Sequence, residues 1–158
     1  MTRTLLLLAI GSLSLSINAF AQDANTASGT LIIGKHNVAI KHVYLVSAMQ
    51  GDKKGRRLIF SAKDIAASIG KCTKISCATN DLNEGLELEL DSGERLNLWA
   101  VANGQKVQHS DTAVRSTFTA TADKPDEVAG MLAIDRSNIG GPKINIEFKA
   151  RLTKSFKE

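Results

Sequence analysis

The chain is poor in several things at once. Its 158 residues hold two cysteines, one tryptophan and one tyrosine, and aromatics make up 4% of the whole. Trp99 and Tyr44 could make a sugar or peptide platform, but carbohydrate binders usually show more rings, and core packing is the default for both. The common catalytic signatures are missing. There is no Gly-x-Ser-x-Gly elbow, no His-Glu-x-x-His, no phosphate-binding glycine loop and no EF-hand loop. Charge of one sign is also lacking. Twenty Lys and Arg against sixteen Asp and Glu leave a net +4, too weak a bias to imply nucleic acid. No apolar run reaches the roughly 20 residues that a membrane-spanning helix needs.

What is present begins at the N-terminus. Arg3 forms a short positive region, Leu5 to Ile17 an apolar one, and Asn18-Ala19-Phe20-Ala21 ends in the small-residue pattern of a signal-peptidase site. Cleavage after Ala21 is expected, which places the protein in the periplasm or outside the cell. A retained N-terminal anchor is the alternative. Residues 22–28 are small and polar and read as a flexible lead-in. Residues 29–158 suit a single domain.

Export bears on Cys72 and Cys77 in KCTKISCATND. Their Cys-x4-Cys spacing differs from the Cys-x2-Cys of thioredoxin-like and zinc sites, and no histidine lies near them in sequence. An oxidising compartment favours a disulfide, with two free thiols as the alternative. Closing so short a loop stabilises by about 2 kcal/mol, enough to pin a loop but not a domain.

Alternation of apolar and polar residues dominates the rest. In KINIEFKARL, Ile144, Ile146, Phe148, Ala150 and Leu152 take one face of a strand. LELELDSGERLNLW reads as a hairpin with Leu86, Leu88 and Leu90 facing in and Glu87, Glu89 and Asp91 facing out. Asn103-Gly104 is a strong turn signal for a second hairpin. TLIIGK and NVAIKHVYLVSA frame a turn near His36-Asn37, and MQGDKKG leads into RRLIF. TAVRSTFTATAD sets Val114, Phe118 and Ala120 on one face, and EVAGMLAIDR follows it. Eight or nine strands result. SAKDIAASIG departs from the pattern. Ser61 as N-cap, Asp64 three residues on, the Ile65/Ile69 spacing and Gly70 as terminator predict a short helix over about 61–69. The expected fold is mainly β: an antiparallel sandwich or partly closed barrel with one short helix.

Candidate functional residues are few. Lys53, Lys54, Arg56 and Arg57 form a basic turn that could meet anionic lipid, lipopolysaccharide or an acidic partner, although a solvated hairpin tip explains it as well. Asp81, Glu84, Glu87, Glu89, Asp91 and Glu94 form an acidic run. Glu87 and Glu89 lie two apart on one strand, whereas a glycosidase needs two carboxylates facing across a cleft, so a solvated strand face is expected, with cation binding or a partner surface as the alternatives. Of His36, His42 and His109, His42 alternates with Ile40 and Tyr44 and is expected to share their face. No metal, cofactor or catalytic residue is assigned.

The order of these features resembles a family of small exported bacterial β-rich domains of uncharacterised function. The likeness rests on GTLIIGKHNVAIKHVYLV, RRLIFSAKDIAASIG, GLELELDSGERLNLW, TFTATADKPDEVAGML and INIEFKARL, within Gly29 to Leu152. It implies an export signal and a β-rich domain, and it carries over no catalytic residue. The cysteine loop looks like an addition to that pattern. The functional expectation is a non-catalytic exported binding module whose partner is an envelope protein or other envelope component. An inhibitor or immunity-type protein is one form of it. A carrier of lipid or another hydrophobic ligand is the alternative, and an enzyme without a recognisable motif the third choice.

Overall fold

The structure, a computed structural model, describes residues 25–109 and 115–157. The expected signal peptide and Val114 lie outside the described residues. Ten strands follow in chain order: β1 (Thr26–Ile33), β2 (His36–Ile40), β3 (His42–Gln50), β4 (Lys53–Ser61), β5 (Gly85–Glu89), β6 (Asn97–Ala102), β7 (Gln105–Gln108), β8 (Phe118–Asp123), β9 (Glu127–Asp135) and β10 (Lys143–Phe156). The helix α1 (Ala66–Lys71) and a 3-10 turn at Ile75–Thr79 lie between β4 and β5. β1 thus begins ahead of the expected domain start at Gly29.

Two sheets share β10. Its first part pairs antiparallel with β1 on one side and β9 on the other, giving the order β2-β1-β10-β9-β8, sheet A. Past Leu152 the register shifts, and its last residues pair parallel with β3 to join β3-β4-β5-β6-β7, sheet B. The result is a mainly β, mixed sheet folded on itself and not closed into a barrel. The two strands that flank the first part of β10 each carry a glycine at a close strand approach, Gly29 to β10 itself and Gly130 to β8. Gly29 on β1 and Gly130 on β9 flank β10 with φ of 147° and 152°. A Cβ at either would stand 2.1 Å from a backbone oxygen, of Asn145 or of Thr119. Only glycine permits that approach and that backbone angle.

The inner faces of the sheets bury one apolar cluster. Leu31, Val38 and Leu132 from sheet A meet Leu45, Phe60, Leu88 and Leu98 from sheet B, with Ile146 and Phe148 of β10 between them. Phe148 meets Phe60 edge-on at 4.9 Å and stacks on Phe118 at 5.7 Å, favourable ring geometries. A second cluster covers the outer face of sheet B. There Tyr44, Val46, Ile59 and Phe156 pack against Ile65, Ile69, Ile75 and Leu82 of the insertion. Sheet B is therefore buried on both faces over much of its area.

Several local expectations shift. The helix is Ala66–Lys71, not 61–69. Ser61 still belongs to β4, facing His42 and Gly85, so the helix waits until the chain has left the sheet. Gly70 lies inside the helix and Cys72 follows its end. The β1–β2 turn is Gly34-Lys35, because His36 already pairs with Ile33. Phe118 is buried as expected, but Ala120 is exposed beside a register shift in β8. Ile40 and His42 do not share a face. The break at Lys41 sends Ile40 to the inner cluster and Tyr44 to the outer one.

Candidate functional site

The cysteines form a disulfide, with their Cα atoms 5.6 Å apart. It joins the end of α1 to the following 3-10 turn, and Cys72 is buried in the outer cluster. Lys154 of β10 adds a second brace. Its ammonium donates to the carbonyls of Gly70 at 2.6 Å and Cys72 at 2.5 Å, at the negative end of α1. The insertion's other end is held by Tyr44. The phenol donates to Asp64 at 2.6 Å and accepts from the Ile65 amide at 2.9 Å, while Asp64 accepts from the Ala66 amide at 2.9 Å. Burial, then the bond to Asp64, push the Tyr44 phenol up to about 12. The same bond, then that from Ala66, hold the Asp64 carboxyl below its ordinary range, and the charge of His42 acts in the same direction.

The residues of the basic segment are not a turn. Gly51 and Asp52 make the turn, and Lys53 to Arg57 run along β4. Lys53 and Lys54 are exposed. Arg56 and Arg57, adjacent on a strand, engage different partners. Arg56 grips Asp91 through two nitrogens, at 2.7 and 3.0 Å, and reaches Asp123 at 2.7 Å and the Lys124 carbonyl at 3.0 Å. This joins β4 of sheet B to the end of β8 of sheet A. Burial would raise the Asp91 carboxyl, but hydrogen bonds and charge from Arg56 outweigh it and hold it below the ordinary range. Arg57 pairs with Glu87 at 2.8 Å and Glu89 at 2.9 Å.

The acidic run is likewise divided. Glu87, expected in solvent, is only 3% exposed, held by Arg57 and by Lys106 at 2.5 Å. Alternation could not reveal this, because the outer face of sheet B is covered too. Glu89 joins the same ladder, accepting from Asn97 at 2.7 Å. Asp91 serves the Arg56 clamp. Glu94 lines a shallow depression with Arg95 and Arg115, and its carbonyl accepts from the Arg115 amide at 2.9 Å.

Asp81 and Glu84 go elsewhere, to a polar cleft of about 340 Å³ at the end of the sandwich where the insertion meets the β6–β7 hairpin. Ser61, Lys63, Asn83 and Asn103 also line it, with Ala62 and Gly104. Its walls are tied together. The Ala62 amide donates to the Glu84 carbonyl at 3.1 Å, and the Gly104 amide to the Asn83 carbonyl at 3.0 Å. The Ser61 hydroxyl accepts from the Lys63 amide at 3.2 Å, and Ser68 hydrogen-bonds Asp81. Asn103 sits at φ 51° in the predicted Asn-Gly turn and contacts the His36 ring at 3.2 Å. No sequence motif marked this cleft, since its members come from three separate segments. His109 is partly buried, and burial lowers its pKa. No group of three or more metal-ligating side chains that could hold an ion occurs among the described residues. No helix among them is long and apolar enough to cross a membrane. Comparison of the chain with protein-family profiles, curated proteins and solved structures finds no match.

Proposed function

We propose that this chain is a non-catalytic exported interaction module that engages a protein or other envelope component through the loops at the cleft end of the sandwich. The cleft carries the reading. It gathers two carboxylates, two amides, a hydroxyl and one lysine from loops anchored on a sheet packed on both faces. Loops on a rigid β scaffold suit recognition, because the scaffold bears the ordering cost before the partner arrives. The insertion that builds one wall is held by the disulfide, by Lys154 and by Tyr44, so that wall is pre-formed.

The pairing of the charged residues supports a non-catalytic reading. Glu87 and Asp91 are engaged by arginines, and Asp64, whose carboxyl feels the His42 charge, is engaged at the start of α1. The side chains between the sheets pack on one another, Phe148 against both Phe60 and Phe118, which favours a binding module over a lipid carrier. Export is supported by the N-terminal signal pattern, by the resemblance to exported domains and by the disulfide, which persists in oxidising compartments. An inhibitor or immunity-type protein acting on an envelope hydrolase is one form of such a module. Capture from envelope extract tests the reading. The immobilised, disulfide-bonded chain is expected to retain a specific component, and Asp81→Ala with Glu84→Ala is expected to release it. Absence of any retained component under several extraction conditions contradicts it.

A further inference from the structure

Trp99 is the one tryptophan of the chain, and it belongs to neither apolar cluster. It sits half-buried on β6, opposite Glu87 of β5 and Gln108 of β7. Glu87 is also the cross-strand partner of Ile59, a residue of the outer cluster, so Trp99 shares the outer face of sheet B. An indole is the largest apolar side chain available, and a core is where it contributes most. Here it stands among hydrogen-bonding groups instead.

Those groups form a ladder across four strands. Lys106 of β7 lies 5.4 Å from the centre of the indole and pairs with Glu87. Arg57 of β4 holds Glu87 and Glu89, and Asn97 of β6 donates to Glu89. Two cations and two carboxylates cancel. The Nε–H of Arg57 is buried and makes no hydrogen bond. A buried donor without an acceptor costs about 1–3 kcal/mol.

We propose that this ladder face, separate from the cleft, binds a neutral saccharide, with a pyranose ring stacked on Trp99 and its hydroxyls met by Arg57, Glu89 and Asn97. The chemistry selects that class. A pyranose has one face of C–H groups and a rim of hydroxyls that both donate and accept. It needs a flat apolar platform beside fixed donors and acceptors of balanced charge. An anionic ligand needs surplus cation and a cationic ligand surplus carboxylate, and the ladder has neither. Lys106 is the movable part. Its side chain is 40% exposed, so swinging it off the indole disturbs little packing; the cost is its ion pair with Glu87, which Arg57 still holds.

The single tryptophan makes the test direct, because intrinsic fluorescence reports this face alone. The full exported chain is titrated with cello-oligosaccharides and with chito-oligosaccharides, and calorimetry is run in parallel. A saturable change in Trp99 emission with at least one series is expected. Trp99→Phe is expected to weaken binding about tenfold by calorimetry and Arg57→Lys severalfold, whereas Lys106→Ala binds as tightly or more tightly. Circular dichroism checks that each variant folds. No saturable signal from the wild-type chain with either series overturns the proposal. So does calorimetric binding that Trp99→Phe and Arg57→Lys leave unchanged in folded protein. Loss of envelope capture in the cleft variants with saccharide binding intact separates the two surfaces.

Discussion

The hydroxyl of Tyr44 accepts the Ile65 amide and donates to Asp64, so one phenol on a strand fixes where the insertion starts. That role was not legible in the sequence, where Tyr44 reads only as an inward-facing strand residue. Twenty-one positions separate it from Ile65, and no local pattern records such a contact. It has a measurable consequence. The phenol is raised from its ordinary value of 10.0 to about 12 in the folded chain. A group whose pKa is raised on folding contributes stability that is complete below its unfolded value. That stability is lost as pH climbs from about 10 to about 12. Because Tyr44 is the one tyrosine, tyrosinate absorbance near 295 nm follows it alone once Trp99 is subtracted. The titration midpoint is expected close to 12, falling to the ordinary value in urea. Tyr44→Phe is expected to flatten stability over that pH range while lowering it at neutral pH by about 1 kcal/mol through the lost hydrogen bonds. Glu87 teaches the same lesson. Its place on the strand was legible, but its burial was not, because the Arg57 and Lys106 that hold it come from two other strands.

At the scale of elements the record is mixed for a physical reason. Strands whose one face meets solvent kept their pattern: Ile144, Ile146, Phe148 and Ala150 of β10 are buried and their neighbours exposed. The Asn103-Gly104 turn followed from its backbone demands. Where sheet B is covered on both faces, alternation lost its meaning, and β3 is buried continuously from Val43 to Ala48. The helix start moved because Ser61 is committed to pairing with β3 and β5. The glycines at these close strand approaches looked ordinary in sequence, and Gly130 tests the approach of β9 to β8. An alanine there meets the Thr119 carbonyl and an unfavourable backbone angle together. Gly130→Ala is expected to destabilise by about 2–3 kcal/mol, a fall in melting temperature of roughly 10 °C by differential scanning calorimetry. Alanine at exposed Gly34, where nothing lies within 4 Å, is the control for space.

At the scale of the whole molecule, the two ends and one face of the sandwich have different characters. The Lys53–Lys54 end stays basic and exposed, whereas Arg56 and Arg57, read with them as one patch, are committed to intramolecular pairs. The opposite end carries the cleft. A disulfide-braced insertion, itself packed on sheet B, meets the β6–β7 hairpin there. The fold class was legible from alternation. The cleft was not, because Ser61, Asp81, Glu84 and Asn103 come together only when β4, β5 and β6 pair. The central claim is that this end engages an envelope component. It is tested most directly by placing a photo-reactive side chain at Asn103 in the exported, disulfide-bonded protein, with the same side chain at exposed Ala133 of sheet A as control. A discrete covalent adduct from position 103, weakened when Asp81 and Glu84 are alanine and absent from position 133, is the predicted result. Folded, exported protein that gives no adduct from position 103, or gives the same adducts from both positions, contradicts the claim.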